Sequence, residues 1–482
     1  MKTAKRSLAL TMAMLAGATM VAAQGDVPIT TTSKEALQLY MRAQEKSENI
    51  ETEAAAGLVE QAIAKDPGFA MAYLLRAQVG GGFTVARENR DKAVSLADKV
   101  SPGEKHWILA AKEQADGNVV AAKQHLDALL AAFPGDKRVQ TLVGFHYRGV
   151  LGDNKTAAAY FKKATQIDPA YAPAYNNLGY AQSATGDYAG AEASFKKYIS
   201  LLPDRPNPYD SYAELLMKMG RYDESIVQYK AALAKDAAFT GSLAGVGTNL
   251  VFKKDFDGGR SWYQQQLAKS PDVDAKLDAM DNIAISYVHQ GDTAQALKTL
   301  DEIATLALTN NLVTRAIGAH YDAAFVLIES GQADQAEPHV AKASALAADT
   351  SLPASVKERA AVSSGIMRAR IMGAQGKFAE AKAMVGQAEE AAAKRRNPAD
   401  QQRVNRARGL LALEQQQYAP ALESLSKSDP ADPYVIYLQA VASEKSGRAA
   451  DASGLFKKVA QWNENSLAYA TIRGRAMTKA GS

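Results

Sequence analysis

The chain has 482 residues, 47% hydrophobic and 22% charged, with a formal net charge of +4, values ordinary for a soluble folded protein. Lys2, Lys5 and Arg6 supply three of the positive charges, so the rest of the chain carries only +1 and attracts neither nucleic acid nor anionic lipid by bulk charge. There is no cysteine, which excludes disulfides, thiolate metal sites, cysteine nucleophiles and a lipid anchor on an N-terminal cysteine.

The first element is a leader. After its cationic start comes an apolar run of 16 residues, Leu8 to Ala23, shorter than the ~20 needed to span a bilayer. It closes on Val21-Ala22-Ala23, a small-residue ending. We read residues 1–23 as a secretory signal peptide cut after Ala23, which predicts a periplasmic or secreted location. An uncleaved membrane anchor is the alternative. Residues 24–33 read as an N-terminal linker.

From residue 34 the pattern is helical, rich in Ala, Leu, Lys, Glu and Gln with widely spaced prolines,. Two degenerate helix pairs come first, one through "SKEALQLYMRAQEK" to Pro67 and one from Ala70 to Ser101. Gly80-Gly81-Gly82 interrupts the second and predicts a shortened first helix. A repeat of 34 residues then emerges. Phe161, Phe195, Tyr229 and Tyr263 keep that interval, and so do Pro169, Pro203, Ala237 and Pro271. Ala157, Ala191, Ser225 and Gly259 are small at the matching position.

The pattern describes a helical hairpin. The first helix ends at a residue for which a left-handed backbone is needed. Asp153, Asp187, Asp255 and Asp292 follow as N-caps of the second helix. Small residues let the helices approach, the aromatic four positions on fills the space between them, and proline stops the second helix. Phasing places the turn residues at Gly117, Gly152, Gly186, Gly220, Lys254, Gly291, Gly331, Gly376, Gln416 and Gly447. The expected organisation is a regular array over 34–275, a longer-period array over 276–465 with breaks at Pro353, Pro398 and Pro430, and a capping helix and tail over 466–482. The fold class is all-α: an α-solenoid of about twelve stacked antiparallel helix pairs, with a capping helix as solenoids require.

Tyr175, Leu178, Gly179, Gly186, Asp187, Tyr188, Ala191, Phe195 and Pro203 carry a resemblance to the tetratricopeptide repeat (TPR) family, extending in phase over roughly residues 34–480. The resemblance implies a superhelix whose concave face is lined by the first helix of each repeat. Mapped onto this chain, the groove positions are Trp107 with Glu104, Phe145 with Arg138 and Arg148, Asn176 with Tyr180, and Asn207 with Asp210 and Glu214. Phe252, Asp278 with Asp281, Tyr321 with Phe325, and Tyr434 with Tyr437 follow. An aromatic groove with an acidic middle suits an extended peptide or partner helix, although aromatics at helical spacing also serve as core. Asp210 and Glu214 would repel a C-terminal carboxylate, so a carboxylate clamp is not expected. The implied function is a non-catalytic scaffold binding a protein or peptide in the bacterial cell envelope, meeting a membrane only by indirect association and binding no nucleic acid. A glycan- or nutrient-binding surface protein and a regulatory sensor array are the alternatives.

No catalytic, cofactor or metal residue is expected. None of the six histidines, at 106, 125, 146, 289, 320 and 339, lies three to five residues from another, so no metal-ligand spacing appears. "GAQGKF" has Phe378 where a phosphate loop needs Ser or Thr, and "GVG" at 245–247 is a small-residue patch of a first helix,. In the basic run "KRRNPADQQRVNRAR", Lys394 to Arg396 suit the end of a helix, with Pro398 opening a linker.

Overall fold

The computed structural model describes residues 25–395 and 397–481. The expected signal peptide and Arg396 of the basic run lie outside the described residues. Within them the chain forms 25 α-helices. Contacts divide it into two compact units, one ending at Pro203 and the other beginning at Asp204.

Unit 1 holds five hairpins. They are α1 (Lys34–Glu48) with α2 (Thr52–Lys65), α3 (Ala70–Arg76) with α4 (Gly82–Leu96), α5 (Pro102–Ala115) with α6 (Val119–Ala132), α7 (Lys137–Phe145) with α8 (Asn154–Ile167), and α9 (Ala172–Ala184) with α10 (Tyr188–Leu201). The glycine run does cut α3 short: all three residues take positive φ, at 71°, 89° and 74°.

Unit 2 holds seven hairpins and a last helix. The hairpins are α11 (Pro206–Lys218) with α12 (Tyr222–Lys235), α13 (Thr240–Phe252) with α14 (Phe256–Lys269), α15 (Val273–Gln290) with α16 (Thr293–Thr309), α17 (Val313–Glu329) with α18 (Glu337–Ala347), α19 (Ala354–Ala374) with α20 (Phe378–Arg395), α21 (Pro398–Glu414) with α22 (Tyr418–Ser426), and α23 (Pro433–Lys445) with α24 (Ala449–Ala460). The last helix is α25 (Leu467–Gly481). The change of period after Gly291 comes from longer helices inside this unit, 18 residues in α15 and 21 in α19 against 13 in α11. Pro398 does not open a linker. It is the first residue of α21, where its missing N–H leaves no bond unmade.

Each local rule of the hairpin is visible. All ten phased turn residues have positive φ, including the two that are not glycine, Lys254 at 68° and Gln416 at 58°. Asp153, Asp187, Asp255 and Asp292 each accept a backbone N–H from the residue three positions on. The repeat aromatics Phe161, Phe195, Tyr229 and Tyr263 are fully buried, each against a glycine of a neighbouring first helix. A Cβ added at Gly179 would stand 2.7 Å from the Phe195 ring, and one at Gly245 would stand 2.2 Å from Tyr229. Close approach of the helices therefore requires glycine there.

Residues 25–33 are not a free linker. The Val27 N–H donates to Asp136 at 2.8 Å, Thr30 donates to Glu104 through its N–H at 2.8 Å and its hydroxyl at 2.5 Å, and the Thr31 hydroxyl donates to Asp66 at 2.6 Å. Three repeat junctions are stitched by this one segment. Glu104, expected in the groove, is instead buried here and closes the capping box of α5 with Ser101,.

Candidate functional site

The first helices of unit 1 surround a cavity of about 610 Å³. Its apolar wall includes Tyr40, Leu74, Leu75, Trp107, Leu142 and Phe145. Side-chain amides of Gln44, Gln78, Gln114, Asn176 and Asn177 share the polar lining with Ser47, Thr141 and Glu48, and Arg138 and Arg148 are the two cations. Six expected groove residues meet here: Trp107, Arg138, Phe145, Arg148, Asn176 and Tyr180. Phe145 is exposed and packs edge-on against Phe161, ring centres 5.6 Å apart. Tyr180 packs edge-on against Phe195 at 5.1 Å.

The two arginines differ in their environment. The Arg138 Nε donates to Glu48 at 2.8 Å, and that carboxylate holds the guanidinium in its charged form despite burial,. Arg148 is carried on the π-helical turn His146–Val150 that follows α7. Its guanidinium lies 5.4 Å from the Tyr180 ring centre and donates to the Asn177 Oδ1 at 3.3 Å, and no carboxylate among the described residues pairs with it. Asn176 is only 8% exposed, yet its Oδ1 accepts no hydrogen bond among the described residues. A buried polar atom left unmatched costs about 1–3 kcal/mol.

The remaining expected groove residues lie in unit 2 and are not brought into an open groove. Asp210 is buried and accepts from the Ser242 hydroxyl at 2.6 Å. Burial, then repulsion from Glu214, pushes its carboxyl well above the usual range, so the acidic middle is largely sequestered. Phe252, Tyr321, Phe325 and Tyr434 are buried. The Tyr321 hydroxyl donates to the Ala360 carbonyl at 2.8 Å. Asp278 and Asp281 are engaged by Arg315 at 2.7 and 3.1 Å.

The cover over Phe252 and Phe325 is the chain itself. The last helix α25 packs on α24, as a cap should, but also on α15, α17 and α23. Tyr469, Ile472 and Ala476 join Phe252, Phe325 and Tyr434 in one apolar cluster. The Arg473 guanidinium lies 4.6 Å from the Phe252 ring centre and donates to the Phe252 carbonyl at 3.2 Å. Ahead of α25, Asn463 accepts from the Tyr222 hydroxyl at 2.5 Å. Below it, Glu329 accepts from Arg370 at 2.5 Å, from Arg475 at 2.9 Å and from the Tyr434 hydroxyl. The basic run is likewise occupied internally: Arg395 pairs with Asp400 at 2.5 Å, Arg406 with Asp432 at 2.6 Å and Arg408 with Glu389 at 2.7 Å.

Gln44, Gln78 and Gln114 were not among the expected groove residues. The first two belong to the degenerate early copies, where the weak repeat signature hides the inward positions. No helix among the described residues is long and apolar enough to cross a membrane.

Residues 151–210 match a tetratricopeptide-repeat family model, and residues 317–342 match a second one. Superkiller complex protein 3 of Mus musculus is 30% identical over 101 residues, which is 21% of this chain and 6% of that protein. The chain thus spans a small fraction of that relative's length. Among solved structures, MamA is similar at 21% identity over 33% of this chain and 94% of its own, with a TM-score of 0.30. PilW, a type IV pilus biogenesis factor, is similar at 18% identity over 51% of this chain and 98% of its own, with a TM-score of 0.32. The first match falls on hairpins whose turns, caps and interhelical aromatics keep the repeat's spacing, the second falls on α17 and α18, and over those stretches the chain carries tetratricopeptide repeats.

Proposed function

We propose that this chain is a non-catalytic interaction scaffold that holds an extended protein segment in the cavity of unit 1. The observation that carries the reading is the lining of that cavity, where aromatic and aliphatic side chains alternate with the side-chain amides of Gln44, Gln78, Gln114, Asn176 and Asn177. Amide side chains pair with a peptide backbone in both donor and acceptor sense, and the aromatic walls take apolar anchors. The uncompensated charge of Arg148 favours an acidic or carbonyl-rich segment. The leader-like start of the sequence supports a partner in the bacterial cell envelope.

A peptide-display selection on the full chain tests this. Selected peptides should be enriched in Asp or Glu beside an apolar residue, and Arg148→Ala and Asn176→Ala should each weaken their binding by about tenfold, the weight of one charge-assisted or buried hydrogen bond. Peptides that bind equally well to the Asn176→Ala/Arg148→Ala double variant would refute the site. Binding of oligosaccharides but not peptides would favour the glycan reading.

A further inference from the structure

Four of the six histidines form two facing pairs. His106 on α5 meets His125 on α6, and His320 on α17 meets His339 on α18. Each pair is 19 residues apart in sequence, so the two rings face each other across one hairpin. The short spacings that signal a metal site within one helix are absent, and for that reason none was expected.

The two pairs are not equivalent. The Nδ1 atoms of His106 and His125 lie 3.1 Å apart, a normal hydrogen bond between two neutral imidazoles. Those of His320 and His339 lie 3.5 Å apart, which is long for such a bond. A zinc ion with Zn–N bonds of ~2.05 Å in tetrahedral geometry sets two ligand nitrogens ~3.3 Å apart. The second pair also has a third donor. Asp301 on α16 places Oδ1 4.0 Å from the His339 Nδ1, and one ligand atom from each of the three residues lies within 4.8 Å of the others.

We propose that Asp301, His320 and His339 bind one divalent transition-metal cation, zinc foremost, through one carboxylate oxygen and two Nδ1 atoms. Two imidazoles and a carboxylate are a donor set that suits zinc, with a fourth position left to solvent. Asp301 has an exposed side chain, free to swing the ~1 Å that would bring its carboxylate to the ~3.3 Å ligand spacing. Lys342 faces both rings and opposes a cation electrostatically, while Lys298 is drawn toward Glu302 one turn along its own helix, at 4.0 Å. The ion would clip α16, the second helix of one hairpin, to both helices of the next. This site stands apart from the cavity of unit 1 and does not depend on the scaffold reading.

The test uses the full chain without a histidine tag, stripped with chelator and titrated with zinc chloride by calorimetry. One equivalent is expected to bind, and zinc should raise the melting temperature. Loss of even an outer-shell partner typically weakens a metal site about 10–100-fold, so His339→Gln and Asp301→Asn should each weaken zinc by at least about tenfold and abolish the thermal shift. His125→Gln should leave both unchanged. Circular dichroism establishes that each variant is folded; Asp301→Asn, at an exposed position, serves if His339→Gln does not fold. Absence of saturable binding overturns the proposal. Equal loss in His125→Gln overturns it too, because zinc binding would then depend on the other histidine pair. An undiminished affinity in Asp301→Asn overturns the three-ligand site.

Discussion

Neutralising Glu329 separates the structural role of the last helix from simple capping. Glu329 is the shared acceptor of a guanidinium buried on α19, a phenol on α23 and a guanidinium on α25. Replacing it with Gln keeps the volume but leaves Arg370 as a buried cation, and removing one partner of a buried ion pair costs about 3–5 kcal/mol. A compensator stands nearby. The Glu414 carboxyl is pushed up to about 7, first by desolvation, and the negative charge of Glu329 adds to the shift while Arg370 opposes it. With Glu329 neutral that repulsion is gone, Glu414 ionises more readily beside Arg370, and part of the loss returns. Glu414 is solvent-edged, so the return is about 1 kcal/mol after screening. The expected loss in Glu329→Gln is therefore about 2–4 kcal/mol at pH 8, where Glu414 is ionised, and about 1 kcal/mol greater at pH 5.5, where it is protonated. The sign for Glu329 itself agrees. Its carboxyl is held below the usual value by Arg370, Tyr434 and Arg475 against the cost of burial, so its contribution is present above the unfolded-state value of about 4.3 and fades only as pH falls below it. Urea unfolding of the full chain at both pH values measures the loss, and hydrogen exchange across Leu467–Gly481 locates it. A loss below about 1 kcal/mol, or an equal loss at the two pH values, would refute the reasoning.

Two further substitutions probe the hairpin turns. Gly186 has φ +81° and open space where a Cβ would go, so Gly186→Val carries conformational strain alone and should destabilise by about 1–2 kcal/mol in urea; an unchanged midpoint would mean that the turn does not bear on stability. Lys254 and Gln416 already pay that strain with φ of 68° and 58°. Lys254→Gly and Gln416→Gly should each stabilise by about 0.5–1 kcal/mol despite the entropy of an added glycine, and a lowered midpoint in both would contradict the assignment of strain.

The hairpins were legible because each obeys rules that act within one repeat length. A left-handed turn, an aspartate cap and an aromatic beside a small residue are all settled by neighbours in sequence, which is why even Lys254 and Gln416 fall at positive φ. The candidate site was legible only in part. Arg148, Asn176 and Tyr180 occupy inward positions of clear copies, whereas Gln44 and Gln78 stand in copies too degenerate to phase. Phe252 and Phe325 occupy inward positions as well, and nothing local distinguishes a ring awaiting a partner from one covered by the same chain. That cover depends on how seven hairpins curve in succession, a property of their sum. The facing of His320 and His339 depends on the register between two helices, which the lengthened period of this region obscures.

Stacked repeats ordinarily tolerate the gain or loss of a unit, since each leans only on the next. Residues 463–481 remove that freedom from unit 2. They reach Tyr222, Phe252 and Glu329 at the same time, so the number of repeats between those residues and the C-terminus acts as a ruler. Inserting or deleting one hairpin would carry the anchors out of reach of one another, and repeat number in this half of the molecule is thereby locked against drift.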